Sequence, residues 1–157
     1  MDNEVLVTEL RHAIPAFRES RGPVALFMLV TDESNSPVAN NLIVSTKAYD
    51  EYGTKPALVD LMNKLKSKMH EDTLRLISRL TVLKTQDPFV KAVNQAFSAK
   101  GSIINLHSCV IFGIPIENAV IFESASIPSP AAKSRNNMAK KGNKILKPKN
   151  RRNENER

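Results

Sequence analysis

Seven cationic side chains cluster near the C-terminal end of the sequence, within residues 140–152, where no acidic residue occurs. Lysine and arginine on a flexible segment can follow a phosphate backbone and release its counterions, which gives salt-sensitive affinity for DNA or RNA of any sequence. The segment has no aromatic side chain for base stacking, so we do not expect it to recognise bases. We therefore predict that it binds nucleic acid, free or within a ribonucleoprotein. The predicted nucleic-acid-binding residues are Lys140, Lys141, Lys144, Lys147, Lys149, Arg151 and Arg152.

The same basic segment is compatible with other roles. It can be a solubilising tail without a particular partner, it can dock on an acidic protein surface or a membrane headgroup layer, or it can serve as a targeting signal. In a eukaryotic protein, such a cluster is typical of a nuclear import signal. Its location is informative, because residues 133–157 carry 10 Lys and Arg against 2 Asp and Glu, while residues 1–132 carry 13 against 14. The net charges of +8 and −1 place any electrostatic partner at the C-terminal end.

The single cysteine, Cys109, lies two residues after His107. On a strand these two side chains would share one face, but a thiolate nucleophile needs a base within hydrogen-bond reach and a third group that orients the base. Neighbours on one strand rarely supply that geometry, so we expect a small buried hydrophobe beside a partly satisfied histidine. The other histidines, His12 and His70, lack His, Cys or carboxylate partners at metal-ligand spacing. We therefore predict no metal site and no cofactor.

Two acidic pairs, at positions 32–33 and 50–51, follow the first two predicted strands. Converging carboxylates would suit a magnesium-dependent nuclease. If the two strands are antiparallel, however, their C-terminal ends lie on opposite edges of the sheet and the two acidic pairs cannot meet. We therefore expect solvated loop acids instead. The five glycines are scattered, and neither a Gly-x-Ser-x-Gly elbow nor a Ser-x-x-Lys pair occurs, so a familiar nucleotide enzyme or serine hydrolase is not indicated.

Composition places the chain among ordinary globular proteins. A length of 157 residues with 41% hydrophobic content suffices for one core, and a lone cysteine excludes an intramolecular disulfide framework and Cys-rich metal sites. The start of the sequence lacks the basic and apolar regions of a secretory signal, and no apolar run approaches the ~18 residues of a membrane span. We expect a soluble protein of a reducing, intracellular compartment, cytoplasmic or, in a eukaryote, nuclear.

Hydrophobic periodicity predicts the first elements of the fold. Apolar residues recur with helical spacing from Asn3 to Ser20, although Pro15 predicts a kink or break near residues 12–14. Two strands are predicted next, at residues 24–30 and 41–45, and their short separation favours an antiparallel hairpin with a long loop. Pro56 suits the first turn of a second helix, whose apolar stripe comprises Leu58, Leu61, Met62, Leu65 and Met69.

The second half of the chain alternates strands and a helix. Residues 74–83 are ambiguous, with a strand favoured at 79–84, and Asp87-Pro88 starts a helix that Gly101 would end. Strands at 102–111 and 119–124 follow, joined by a turn through Gly113, Pro115 and Asn118. The order α-β-β-α-β-α-β-β predicts an α/β fold, near the α+β boundary, with a mixed, mainly parallel sheet of about five strands. The domain is predicted over residues 1–126, with a disordered basic tail over 127–157.

Residues 119–122 leave one question of assembly open. The segment is apolar and precedes the chain end, so it fits either an exposed edge strand that invites another chain or a buried central strand. For the whole protein we expect a non-catalytic binding protein whose tail contacts nucleic acid. One alternative is a subunit or regulator of a protein assembly that offers a sheet edge or helical face, with its tail docked on an acidic protein. Another alternative is an enzyme of unfamiliar type.

Overall fold

Helices and strands alternate in the part of the chain that the computed structural model describes, which comprises residues 3–33, 38–100 and 102–126. The predicted order is confirmed. Two additional short helices occur, one before and one after the second long helix. The elements are α1 (Asn3–Arg21), β1 (Val24–Asp32), β2 (Ala39–Thr46), α2 (Lys47–Asp50), α3 (Thr54–Lys68), α4 (Glu71–Leu74), β3 (Arg79–Val82), α5 (Pro88–Ala96), β4 (Ile104–Ile111) and β5 (Ile114–Ser124).

The strands form one mixed five-stranded sheet in the order β3-β2-β1-β5-β4. The predicted mixed sheet is confirmed, but the expectation of a mainly parallel sheet is wrong. Only β2 and β3 are parallel, joined by the α2–α3–α4 crossover, while β1 pairs antiparallel with β2 and β5, and β4 pairs antiparallel with β5. The helix α5 connects the two opposite edges of the sheet instead of two parallel neighbours. Residues 119–122 lie in β5 between β1 and β4, so this segment is a central strand.

The helices α1 and α3 cover one face of the sheet. Leu6, Leu10, Ile14 and Phe17 of α1 are buried there, as their spacing predicts. The helix continues through Pro15, so of the predicted kink or break the break is wrong. Pro15 is exposed, and the carbonyl that loses its partner belongs to Arg11, which is also exposed, so water can satisfy that group.

Aromatic rings join the elements of this face. Phe17 of α1 packs edge-on against Phe27 of β1 and Tyr49 of α2, with centroids 6.0 and 5.9 Å apart, and Phe27 packs likewise against Phe122 of β5 at 5.9 Å. Edge-to-face pairs of this kind add about 0.5–1.5 kcal/mol each beyond their burial. Because no tryptophan is present, these rings are the largest side chains in the core.

The opposite face is covered by α5, which places Phe89, Val90 and Val93 against the sheet. The predicted helix start is confirmed, since the Asp87 side chain accepts a hydrogen bond from the Phe89 N–H at 2.8 Å and Pro88 occupies the first turn. The predicted stop at Gly101 is wrong, because the helix already ends at Ala96; Gly101 itself lies outside the described residues.

A two-residue turn, Phe112-Gly113, joins β4 to β5, with Ile111 paired to Ile114. Both turn residues have positive φ, 51° and 76°, which is the geometry that matches the twist of the two strands. The predicted longer turn through Pro115 and Asn118 is wrong, because both residues are already paired within β5. Phenylalanine is unusual in this backbone conformation, which favours Gly, Asn and Asp, and Phe112 is also 62% exposed.

We expect Phe112→Asn to raise the free energy of unfolding by about 0.5 kcal/mol, because asparagine tolerates the left-handed conformation and little buried area is lost. As the matched control, Gly113→Ala should lower it by about 1 kcal/mol through backbone strain alone, since the space around Gly113 is open. Urea unfolding of the three proteins measures both changes. A loss of stability in Phe112→Asn would show that the packing of the Phe112 ring outweighs its backbone strain.

Candidate functional site

The seven predicted nucleic-acid-binding residues, between Lys140 and Arg152, lie outside the described residues, so the tail site stays a prediction. The same holds for the predicted tail itself, residues 127–157. The candidate chemistry that the structure does place belongs to the domain. It consists of the cysteine and histidines, the acidic side chains, and one apolar groove with a cationic rim.

Cys109 and His107 lie on the edge strand β4. His107 is exposed, and its Nδ1 lies 2.7 Å from the Asn118 Oδ1 of β5. Cys109 is half-buried and packs against the core on the α5 face. The thiol therefore contributes to packing, and the imidazole is engaged with an amide rather than with the sulfur.

His70 has a carboxylate partner that the sequence spacing did not indicate. Glu9 of α1 accepts hydrogen bonds from the His70 backbone N–H at 2.9 Å and from Thr73 Oγ1 at 3.0 Å, and its Oε2 lies 2.8 Å from His70 Nδ1. Burial alone would raise the pKa of Glu9, but the hydrogen bonds with His70 and Thr73 outweigh it, and the net pKa is lowered. The carboxylate thus ties α1 to the start of α4. His12 is exposed on α1, and no group of three potential metal ligands occurs within residues 3–33, 38–100 and 102–126.

The two acidic pairs do not converge. Asp32 and Glu33 lie at the end of β1, whereas Asp50 and Glu51 follow β2, which runs antiparallel to β1. Asp50 accepts hydrogen bonds from the backbone N–H and the hydroxyl of Thr85, and its own carbonyl accepts one from Lys84 Nζ at 2.6 Å. This carboxylate fixes the connection that follows β3.

A third carboxylate, Asp60 of α3, holds three elements together. Arg21, the last residue of α1, donates two hydrogen bonds to it at 2.8 and 2.6 Å, and the Tyr49 hydroxyl of α2 donates another at 2.6 Å. The hydrogen bond from Arg21, helped by Tyr49, outweighs the effect of burial and holds the pKa of Asp60 at about 2, against 3.8 for an ordinary aspartate. Burial and the hydrogen bond to Asp60 raise the pKa of Tyr49. The cluster is therefore an ion pair with a neutral phenol.

Neutralising Asp60 should cost stability in a pH-dependent way. Because its pKa is depressed in the folded state, its contribution is present above pH 4 and is lost as the pH falls towards 2. We expect Asp60→Asn to lose about 2 kcal/mol of unfolding free energy at pH 7 and much less at pH 2.5. Asp72→Asn, which alters an exposed pair with Arg75 at 3.7 Å, is the control and should be nearly neutral. Urea unfolding at both pH values measures this difference. An equal loss of unfolding free energy at the two pH values would assign the effect to packing.

An apolar groove of about 550 Å³ lies between α3 and the edge strand β3. The loop after α4 closes one side of it. Val59 is 52% exposed, while the other apolar residues of the lining are partly buried. Those apolar residues are Leu58, Val59, Met62, Leu74, Ile77 and Leu80.

The rim of the groove is cationic. Lys55, Lys66 and Arg79 line it, none of its described lining residues is acidic, and none of the three cationic side chains forms an ion pair within the described part of the chain. The nearest acids of α4, Glu71 and Asp72, both pair with Arg75. The groove therefore combines an apolar floor with uncompensated positive charge.

The sequence indicates parts of the groove but not the groove itself. Leu58 and Met62 belong to the predicted stripe of α3, yet Ala57, Leu61 and Leu65 are the buried positions of that helix. One feature of the sequence could have indicated it: the apolar stripe of α3 is wider than its buried face. Leu58 and Met62 extend the stripe to one side, and the exposed Val59 lies next to them. The contribution of β3 was not predictable, since it depends on which strand occupies the sheet edge.

Comparison with known proteins gives no further guide to the site: neither a family model, nor a curated protein, nor a solved structure matches the chain. Among the described residues, no helix is both long enough and apolar enough to cross a membrane.

Proposed function

We propose that this chain is a binding protein whose basic C-terminal segment contacts the phosphate backbone of a nucleic acid, free or within a ribonucleoprotein. The separation of charge along the chain carries this proposal, because residues 133–157 hold a net charge of +8 beside a domain of −1. A segment of this composition gains affinity by counterion release, without base recognition.

The use of the carboxylates in the domain is consistent with a binding role. Glu9, Asp50 and Asp60 each accept two or more hydrogen bonds that join separate elements of the fold. Glu123, which is buried in β5, pairs with Arg18 of α1 at 2.6 Å. These four acids are engaged in holding the scaffold of the domain together.

The salt dependence of binding tests the proposal in the full-length chain. If seven cations contact phosphates of a random-sequence DNA duplex, log K should fall with log salt concentration with a slope of about −6. Replacing Lys140, Lys141 and Lys144 with glutamine should reduce the magnitude of that slope by about 3, because three phosphate contacts are lost. Fluorescence anisotropy over a salt series measures the slope.

The matched control removes three exposed lysines of the domain, Lys68, Lys91 and Lys100, in the same way. This triple variant has the same net charge as the tail variant and should retain the parent slope. An unchanged slope in the tail variant, or an equal change in both variants, would refute phosphate binding by the tail.

A second function is favoured by the groove between α3 and β3. The chain would be a subunit or regulator of a protein assembly, with the domain offering a sheet edge beside a helical face. In that case the tail would dock on an acidic protein surface, and duplex DNA would bind no better than an acidic polypeptide of equal charge. Competition of poly-glutamate against DNA distinguishes the two functions. If poly-glutamate displaces bound DNA at an equal concentration of charges, the result supports only the second function.

A further inference from the structure

We propose that the groove between α3 and β3 binds an extended, acidic segment of another protein, which adds a strand to β3 and places alternate apolar side chains against α3. This proposal gives a surface and a partner chemistry to the assembly function above. It does not depend on what the tail binds.

The backbone of β3 offers the first contact. Within residues 3–33, 38–100 and 102–126, β3 is an edge strand whose one pairing partner is β2. Leu83, the residue after β3, donates its backbone N–H to the Val44 carbonyl of β2, so the alternation of a strand turns the backbone groups of Val82 and Leu80 to the outer side. Unpaired groups on an edge are the template on which an added strand forms. The four residues of β3 match a peptide of about four to six residues.

The apolar floor offers the second contact. In an added strand every other side chain would face α3, where Leu58, Val59 and Met62 line the groove. Fully burying one leucine or isoleucine side chain contributes about 1.5–3 kcal/mol, so two or three anchors give measurable affinity. A nucleic acid would leave this floor facing sugar and phosphate, and therefore fits the groove poorly.

The cations select the charge of the partner. Lys55 and Lys66 lie eleven residues apart on α3, which corresponds to about 17 Å along the helix and to about five residues of an extended peptide. Acidic residues at both ends of the apolar core of the peptide would therefore reach both lysines, with Arg79 on the strand side. Charge complementarity of this kind excludes wrong partners more than it adds affinity.

The same charges exclude two other occupants. A second copy of this chain, pairing β3 with β3 about a two-fold axis, would bring two cationic grooves together. The segment over residues 133–157, with its net charge of +8, would be repelled from the groove as well. A cationic residue on an edge strand thus prevents self-pairing and still permits pairing with an acidic strand.

Selection from a displayed random-peptide library tests the proposal without knowledge of the natural partner. The bait is the full-length chain with the seven cations between Lys140 and Arg152 changed to glutamine, so that acidic peptides cannot collect on the tail. We expect the enriched peptides to alternate apolar with other residues and to carry Asp or Glu on both flanks. No enrichment, or enriched peptides without these features, would overturn the proposal.

Binding of one enriched peptide to variants of the same bait then locates the contact. Val59→Asp should weaken it at least tenfold, because one buried apolar contact is worth about a factor of ten or more. Val5→Asp is the matched control, since Val5 is a comparably exposed helical valine, 47% against 52%, that does not line the groove, and it should change affinity less than twofold.

Charge reversal completes the test. Lys55→Glu combined with Lys66→Glu should weaken binding about tenfold or more, whereas Lys68→Glu combined with Lys91→Glu should not. Val110 lies on the exposed edge strand β4. If Val110→Asp abolishes peptide binding and Val59→Asp does not, the assembly function stands, but the groove is rejected as the binding site. If the bait binds an oligonucleotide that the groove reversal releases, the groove is a nucleic-acid site and the proposal fails.

Discussion

The burial of β1 on both faces is the constraint on which the remaining structure depends. Six consecutive residues, Val24–Leu29, are buried, so neither face of this strand can be left to solvent. Hydrogen bonds to β2 and β5 satisfy its two edges, and helices must cover it from above and below. The crossover through α3 supplies part of one cover and α5 supplies the other. The helix α1, joined to β1 at residues 22–23, completes the first face.

The three helices α1, α3 and α5 do not cover all five strands of the sheet to the same extent. The centre is sealed, while both edge strands keep apolar side chains in contact with solvent. At β4 these are Val110 and the adjacent turn residue Phe112, and beside β3 they line the groove under α3. Because a groove beside an unpaired strand offers backbone groups as well as apolar area, it is better suited to a peptide than the hairpin end is.

The sequence predicted the elements better than their arrangement. Apolar periodicity located α1 and the strands, and Asp87-Pro88 located the start of α5, because these signals are local. The sheet was expected to be mainly parallel, because helices were placed between strands without knowledge of which strands become neighbours. The outcome was decided by long-range pairing, because β5 lies antiparallel beside β1 and α5 joins opposite edges of the sheet.

The polar clusters were hidden for the same reason. Glu9 meets His70 across 61 residues, and Asp60 meets Arg21 across 39. Neither pair has a sequence spacing that predicts contact, since only the packing of α1 beside α3 and α4 brings them together. Once they are paired, the cations of the domain fall into two groups. Arg18, Arg21 and Arg75 form ion pairs with acids of the domain, whereas Lys55, Lys66 and Arg79 are not paired in the described part of the chain.

A domain with a net charge near zero can therefore still present a positive surface, because its charges are neutralised unequally. That surface differs in kind from the basic segment over residues 140–152. In the segment, seven cations are interspersed with Gly, Asn, Ile, Leu and Pro and with no aromatic residue, a composition that would suit a phosphate backbone. In the groove, cations surround an apolar floor beside unpaired backbone, which suits an acidic strand with apolar anchors. The two surfaces therefore differ in the partner chemistry that each would require.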